Sequence, residues 1–285
     1  MIRFFILALL LTTPAWAAPQ DPIELWPAGN VPGDESLKLP PETSEPRTAN
    51  VSVPTLTFYP APAASNTGTT IVVAPGGGYK HLAYEHEGSD VCDFLNSIGV
   101  NAVLLKYRVP HRKGLEKHHA PLQDAQRAIS MVRNRAEGWK IKPDQVGILG
   151  FSAGGHLAVM AMTSDGSRSY ETDPAIDATS CIPDFAVPIY PAYLQDPGNP
   201  NALSPEIMIT EKTPPAFITI AHGDRRFVEG AALLYLEMFR KNRQCELHIY
   251  GHGGHGFGMR EIPEKVGEWP DRLADWLEAM GYLGE

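Results

Sequence analysis

The stretch GILGFSAGGHLA, residues 147–158, sets one serine between glycines where two unlike patterns meet. Before Ser152 the chain reads QVGILGF over 145–151, an aliphatic run that predicts a buried strand. After it, AGGHLAVMAM over 153–162 reads as an apolar helix. Gly150 and Gly154 stand two residues to either side of Ser152 and complete the pattern G-x-S-x-G. Three fixed positions are a weak signal alone. In this context they predict a strand-to-helix turn too tight for flanking Cβ atoms. Ser152 would then sit strained and exposed at the top of a sheet, at a helix N-terminus. A serine that only caps the helix is the plainer alternative.

Outward from this turn, strands and helices alternate. TLTFY (55–59), TIVVAP (70–75), NAVLLKY (101–107), DFAVPIY (184–190), AFITIAHG (216–223) and ELHIY (246–250) read as strands. VCDFLNSIG (91–99), 121–136, 229–240 and the stretch from Val266 to Met280 read as helices. In the second of these Ala125, Ala128, Ile129, Val132 and Ala136 share one face. The alternation predicts an α/β fold with a mostly parallel central sheet and helices on both faces. Residues 191–214 carry five prolines and little periodicity, so a long loop is expected there, lining a site or lying inert on the surface.

The two ends differ from this body. MIRFFILALLLTTPAWAAPQ opens with Arg3, a short apolar run over Phe4–Leu11 and the small-x-small Ala15-Trp16-Ala17. That pattern predicts a signal peptide over 1–17, cut after Ala17, and an exported product, secreted or periplasmic, with no membrane association once cut. The apolar run is too short for the competing reading, a spanning anchor. Residues 18–50, rich in Pro and Gly, predict an irregular segment lying over the domain of 51–285, with Ile23, Leu25 and Trp26 as anchors. The 24 Lys and Arg against 33 Asp and Glu leave a net charge of −9 with no basic tract, which argues against nucleic acid as partner. Cys92, Cys181 and Cys245 are no disulfide framework and read as small buried residues, with one bridge left open.

A serine hydroxyl needs a histidine to take its proton and a carboxylate to orient that histidine. YGHGGHGFG (250–258), after the last strand, offers His255 and His252. His255 stands further into the loop and is preferred. A metal site on the same pair has no carboxylate or cysteine at ligand spacing. AHGDRRFVEG (221–230) offers Asp224, which yields the chain order Ser…Asp…His, with Glu229 as the alternative acid. Asp224 beside Arg225 and Arg226 also reads as a surface ion pair. An oxyanion needs donors. The N–H of Ala153 and those of Gly77 and Gly78, in VVAPGGGYK (72–80), are in place for that. The glycines lack the G-K-[ST] of a phosphate cradle. No metal or organic cofactor is expected. Tyr79, His86 and Glu87 either line the site or pack beneath it.

Together APGGGYKHLAYEHEG (74–88), LLKYRVP (104–110), PLQDAQRAI (121–129), GILGFSAGGHLA (147–158), PDFAVPIYP (183–191) and ELHIYGHGGHGFGMR (246–260) resemble the esterase/lipase branch of the α/β-hydrolase superfamily. The likeness spans about residues 50–283 and is strongest to exported bacterial acetyl and acetylxylan esterases with feruloyl-esterase-like domains. The resemblance implies Ser152 as nucleophile, His255 as base, and Gly77, Gly78 and Ala153 as oxyanion donors. It implies removal of short acyl groups, acetyl first, from small esters or an acetylated plant polysaccharide such as xylan. Pro75 stands where lipase relatives often carry histidine, as in the acetyl-esterase branch. Arg225 and Arg226 stand where relatives often show a second Asp. That departure motivates an alternative: a catalytically impaired hydrolase-fold protein that binds carbohydrate. A peptidase of the same fold would usually carry a large extra domain.

Overall fold

The computed structural model describes residues 18–34, 38–44 and 47–284. The signal peptide expected over 1–17 lies outside the described residues. Eight strands form the central sheet: β1 (Ile23–Glu24), β2 (Thr55–Tyr59), β3 (Thr70–Ala74), β4 (Asn101–Lys106), β5 (Val146–Phe151), β6 (Ala186–Ile189), β7 (Ala216–Ala221) and β8 (Cys245–Tyr250). Their spatial order is β1-β2-β4-β3-β5-β6-β7-β8. β2 runs antiparallel to both its neighbours, and all other pairs are parallel. The five principal helices are α1 (Asp90–Ser97), α2 (His119–Asn134), α3 (Ala153–Thr163), α4 (Val228–Arg240) and α5 (Trp269–Ala279). This is the α/β architecture expected.

The inner strands are apolar without alternation because helices cover both faces. Every residue of β3, β5, β6 and β7 is buried. From β3 the chain passes to β4 on one side and then to β5 on the other. That reversal opens a crevice at the strands' carboxyl ends. The register Ala74↔Gly150 and Phe151↔Ile189 brings the ends of β3, β5 and β6 level there.

The N-terminal segment is more ordered than its composition predicts. Ile23 and Glu24 pair with Leu56 and Thr55 as an edge strand, and Thr48–Ala49 pairs with His81–Leu82. Leu25 and Trp26 are buried, as expected of anchors. The Trp26 indole N–H donates to Asp124 Oδ1 at 2.8 Å. Asp124 also accepts from the backbone and side chain of fully buried Arg108, both at 2.9 Å. Arg108 donates onward to the carbonyls of Pro32 and Ala120 and to Gln123. A charge so buried is tolerable only when each polar atom is satisfied, and this network binds the segment to α2.

The 191–214 stretch is not a bare loop, since Gln195–Asp196 and Asn199–Leu203 form a small antiparallel hairpin. All three cysteines are free thiols.

Candidate active site

The turn at Ser152 follows from its glycines. A Cβ on Gly150 would lie 2.0 Å from the Gly154 carbonyl oxygen, and one on Gly154 would lie 2.0 Å from that of Ala74. Only hydrogen fits at either position, so α3 can start directly over the ends of β3 and β5. Ser152 takes φ 53°, ψ −112°, a sparsely populated conformation that costs about 1–3 kcal/mol. Three backbone bonds hold it there. Its N–H donates to Ile189 O at 3.0 Å, and its carbonyl accepts from His156 at 2.9 Å and Ala192 at 3.0 Å.

Ser152 Oγ lies 2.8 Å from His255 Nε2, and His255 Nδ1 lies 2.5 Å from Asp224 Oδ2. Residues from three separate loops thus form one hydrogen-bonded line. Asp224 is only 4% exposed, while the His255 imidazole is about one-third exposed toward the cavity. The turn after β7 fixes Asp224, whose carbonyl accepts from Phe227 and Val228. The imidazole is flanked by the rings of Tyr190 at 4.9 Å and Phe227 at 5.1 Å. Glu229, the alternative acid, instead accepts from Gln195 at 3.1 Å. Neither Arg225 nor Arg226 pairs with Asp224; the Arg226 guanidinium lies 5.1 Å from the Phe227 ring centre. His252 is exposed, away from the line.

The glycine loop lies over the serine: a Cβ on Gly76 would come within 3.0 Å of Ser152 Cβ. Gly77 has φ +138° and its own Cβ position falls 1.9 Å from the His81 carbonyl oxygen, so no other residue fits. Among the described residues, the N–H groups of Gly77, Gly78 and Ala153 donate to no protein acceptor. Three unused amides beside a serine hydroxyl are what a developing oxyanion requires. Tyr107 Oη donates to the Pro75 carbonyl at 2.6 Å, which steadies the loop from beneath.

Glu87 is the residue whose position the motif leaves open. It packs beneath the loop, 4% exposed, where the first turn of a π-helical segment (Glu85–Ser89) leads into α1. Its carboxylate accepts from Gly76 N–H at 2.9 Å and from Tyr190 O–H at 2.8 Å. Tyr190 in turn accepts from Gly258 N–H at 3.0 Å, three residues beyond His255. One buried carboxylate therefore ties the glycine loop to the histidine loop. Burial pushes its pKa up, and the hydrogen bonds from Tyr190 and Gly76 oppose that. Tyr190 carried no signal beyond ending a buried strand. Tyr79 is also buried, its hydroxyl 2.9 Å from His156 Nδ1. Burial lowers the His156 pKa to about 3, so that ring stays neutral.

Ser152 and His255 open into a cavity of about 590 Å³, also lined by Gly77, Gly78, Lys117 and Tyr193. Tyr193 comes from the 191–214 stretch, which therefore does line the site. Behind Tyr79 and Tyr193, the side chains of His118, His156 and Glu206 each bring one ligand-type atom within 4.8 Å of the others. They are the one such group among the described residues, and the expected metal-free line of Ser152, His255 and Asp224 does not include them.

Residues 56–189 match the BD-FAE family. The chain is 30% identical over 237 residues to an acetylxylan esterase of Xylanibacter ruminicola, covering 75% of this chain and 46% of that one. It spans about half the length, or less, of the curated relatives it matches. Among solved structures it is similar to an acetyl ester-xyloside bifunctional hydrolase from Caldicellulosiruptor lactoaceticus, at 34% identity and a TM-score of 0.76. That match covers 93% of this chain and 97% of the other. MGS-M1, an α/β hydrolase from a Medee basin deep-sea metagenome, aligns at 26% identity with a TM-score of 0.65, over 79% of this chain and 92% of its own. With this sheet order, this serine turn and a 34% identical match that covers nearly all of both chains, the chain belongs to the acetyl- and acetylxylan-esterase-like branch of the α/β-hydrolases.

Proposed function

We propose that this protein is a serine carboxylic-ester hydrolase that removes acetyl groups from xylan or its fragments. The observation that carries the reading is the unbroken line from Ser152 Oγ through His255 to buried Asp224. Asp224 holds the imidazole so that Nδ1–H points to it and Nε2 faces the serine. Nε2 takes the Ser152 proton as Oγ attacks the ester carbonyl. The amides of Ala153, Gly77 and Gly78 receive the oxyanion. His255 then protonates the departing sugar hydroxyl, and the acetyl group remains on Ser152. Water, deprotonated by the same nitrogen, releases acetate and restores the serine. Every proton moves between named groups, and the steps need no metal or organic cofactor.

The acetyl and xylan assignment draws support from what the relatives are named for, an acetylxylan esterase and an acetyl ester-xyloside hydrolase. The N-terminal pattern around Arg3, Phe4–Leu11 and Ala15–Ala17 supports export, with cleavage after Ala17.

The test is hydrolysis of 4-nitrophenyl acetate, butyrate and octanoate and of acetylated xylo-oligosaccharides, with Ser152→Ala and Asp224→Asn alongside. Acetate should be cleaved fastest. Ser152→Ala should be inactive, and Asp224→Asn should lose about 10⁴-fold in kcat, as wrong-tautomer variants of such triads do. An Asp224→Asn enzyme as fast as the wild type would refute the assigned acid. A wild type without turnover on any ester would refute the activity.

A further inference from the structure

The cavity above Ser152 is strongly cationic, although the chain as a whole is acidic. Arg47, Lys80, Lys117, Arg226 and Arg260 line it, and among the described residues the only carboxylate in its wall is Glu87. Glu87 is buried and already committed to Gly76 and Tyr190. Among the described residues, none of the five cations forms an ion pair with an Asp or Glu, whereas nine other Lys or Arg side chains do. Their contacts leave the charge available. The Lys117 ammonium lies 4.5 Å over the Tyr193 ring, Arg226 lies over Phe227, and Arg260 donates to the Gly256 carbonyl beside His255. The positive field is felt by neighbours: after burial, Arg47 and Lys80 lower the pKa of His81, and Arg260 and Arg47 that of His86. A neutral acetylated xylan offers nothing to balance such a mouth.

We propose that the ester's alcohol is an acidic saccharide, one that carries a carboxylate or a sulfate close to the acetylated hydroxyl. This rests on the esterase reading above and specifies its substrate. A net charge of −9 would by itself repel a polyanion, so local cations at the cleft must draw it in. Guanidinium groups also suit the task, since their planar fork meets a carboxylate or a sulfate through two parallel hydrogen bonds. In this proposal the anion is part of the leaving alcohol, while the Ser152–His255 pair performs the same chemistry on any acetate ester. The anion therefore sets selection among substrates rather than the acyl step itself.

The experiment compares kcat/KM for the mature chain on matched pairs. One pair is acetylated xylo-oligosaccharides bearing uronic acid against the same material with its carboxyls reduced to alcohols. The other is acetylated, sulfated galacto-oligosaccharides against their desulfated form. 4-Nitrophenyl acetate reports the acyl chemistry alone. We expect a preference of about tenfold or more for the charged member of at least one pair, carried mainly by KM and shrinking as salt rises past ~0.1 M, where the screening length falls to ~10 Å. Which pair shows it identifies the anion. The Lys117→Gln/Arg226→Gln double variant should bring that ratio toward one, each variant being its own control for folding because only the ratio is read. Equal rates within both pairs, with 4-nitrophenyl acetate still cleaved, would overturn this proposal and leave the esterase reading standing. Failure to cleave 4-nitrophenyl acetate would instead remove the esterase reading and this proposal with it.

Discussion

Replacing Glu87 by glutamine separates the charge of this buried group from its shape. The carboxylate accepts two hydrogen bonds, from Gly76 N–H at 2.9 Å and Tyr190 O–H at 2.8 Å. A glutamine amide has one carbonyl oxygen, and its other arm is a donor, so one of the two protein donors must lose its acceptor. Orphaning a buried donor costs about 1–3 kcal/mol. The opposing effect is desolvation, which raises the Glu87 pKa and which a neutral amide does not suffer. The two leave a net loss of about 1 kcal/mol near neutral pH, or about 2–4 °C in Tm for a chain of this size. Activity should fall much further. Gly76 immediately precedes Gly77, and an amide displaced by ~1 Å can cost ~10²-fold in rate. Glu87→Gln should therefore lower kcat on 4-nitrophenyl acetate by about 30- to 100-fold with a much smaller change in KM. The pH dependence has a definite sign. Because the folded pKa lies above the unfolded one, Glu87's contribution is fully present below the unfolded pKa. It is lost as pH rises through the folded pKa. Wild-type Tm should thus decline across that window more steeply than the Glu87→Gln Tm. A variant with kcat within about twofold of wild type and a parallel Tm–pH curve would refute the role assigned to Glu87.

Two stability measurements probe other parts of the frame. Asp124→Ala would strip fully buried Arg108 of its nearer counter-ion, leaving only Asp34 at 3.9 Å, and Trp26 of its acceptor, and should lower stability by about 3 kcal/mol, read as a Tm drop of roughly 10 °C. Comparing two inactive variants isolates the strain at the serine turn. Ser152→Gly should melt above Ser152→Ala, because only glycine adopts φ 53°, ψ −112° without the ~1–3 kcal/mol that a Cβ costs there, and glycine's extra chain entropy offsets about 0.5–1 kcal/mol of that gain. An Ala variant as stable as the Gly variant would show the turn to be unstrained.

The sequence by itself determined the parts of this protein whose cause is local. Short aliphatic runs such as TIVVA and VGILGF, bounded by turn-forming residues, read as strands buried on both sides, and the helices between them follow from one-face apolar spacing. Gly150, Ser152 and Gly154 lie within five residues of one another, so the strained turn is written in consecutive letters. Order along the chain also pointed to Asp224 and His255. What separated Asp224 from Glu229 was tertiary. Both follow β7 within nine residues, but the β7–α4 turn aims one at the imidazole and leaves the other on Gln195. The edge strand at Ile23–Glu24 was hidden because two residues carry no periodicity, and only Thr55 and Leu56 across from them make a strand there. Tyr193 and the five cations of the cavity come from stretches scattered between Arg47 and Arg260, and a charge balance of −9 conceals them. The Glu87–Tyr190 bond spans 103 positions. Burial and hydrogen-bond satisfaction are set by neighbours in space, so only the fold could decide which carboxylate lies against His255 and which lies beneath the glycine loop.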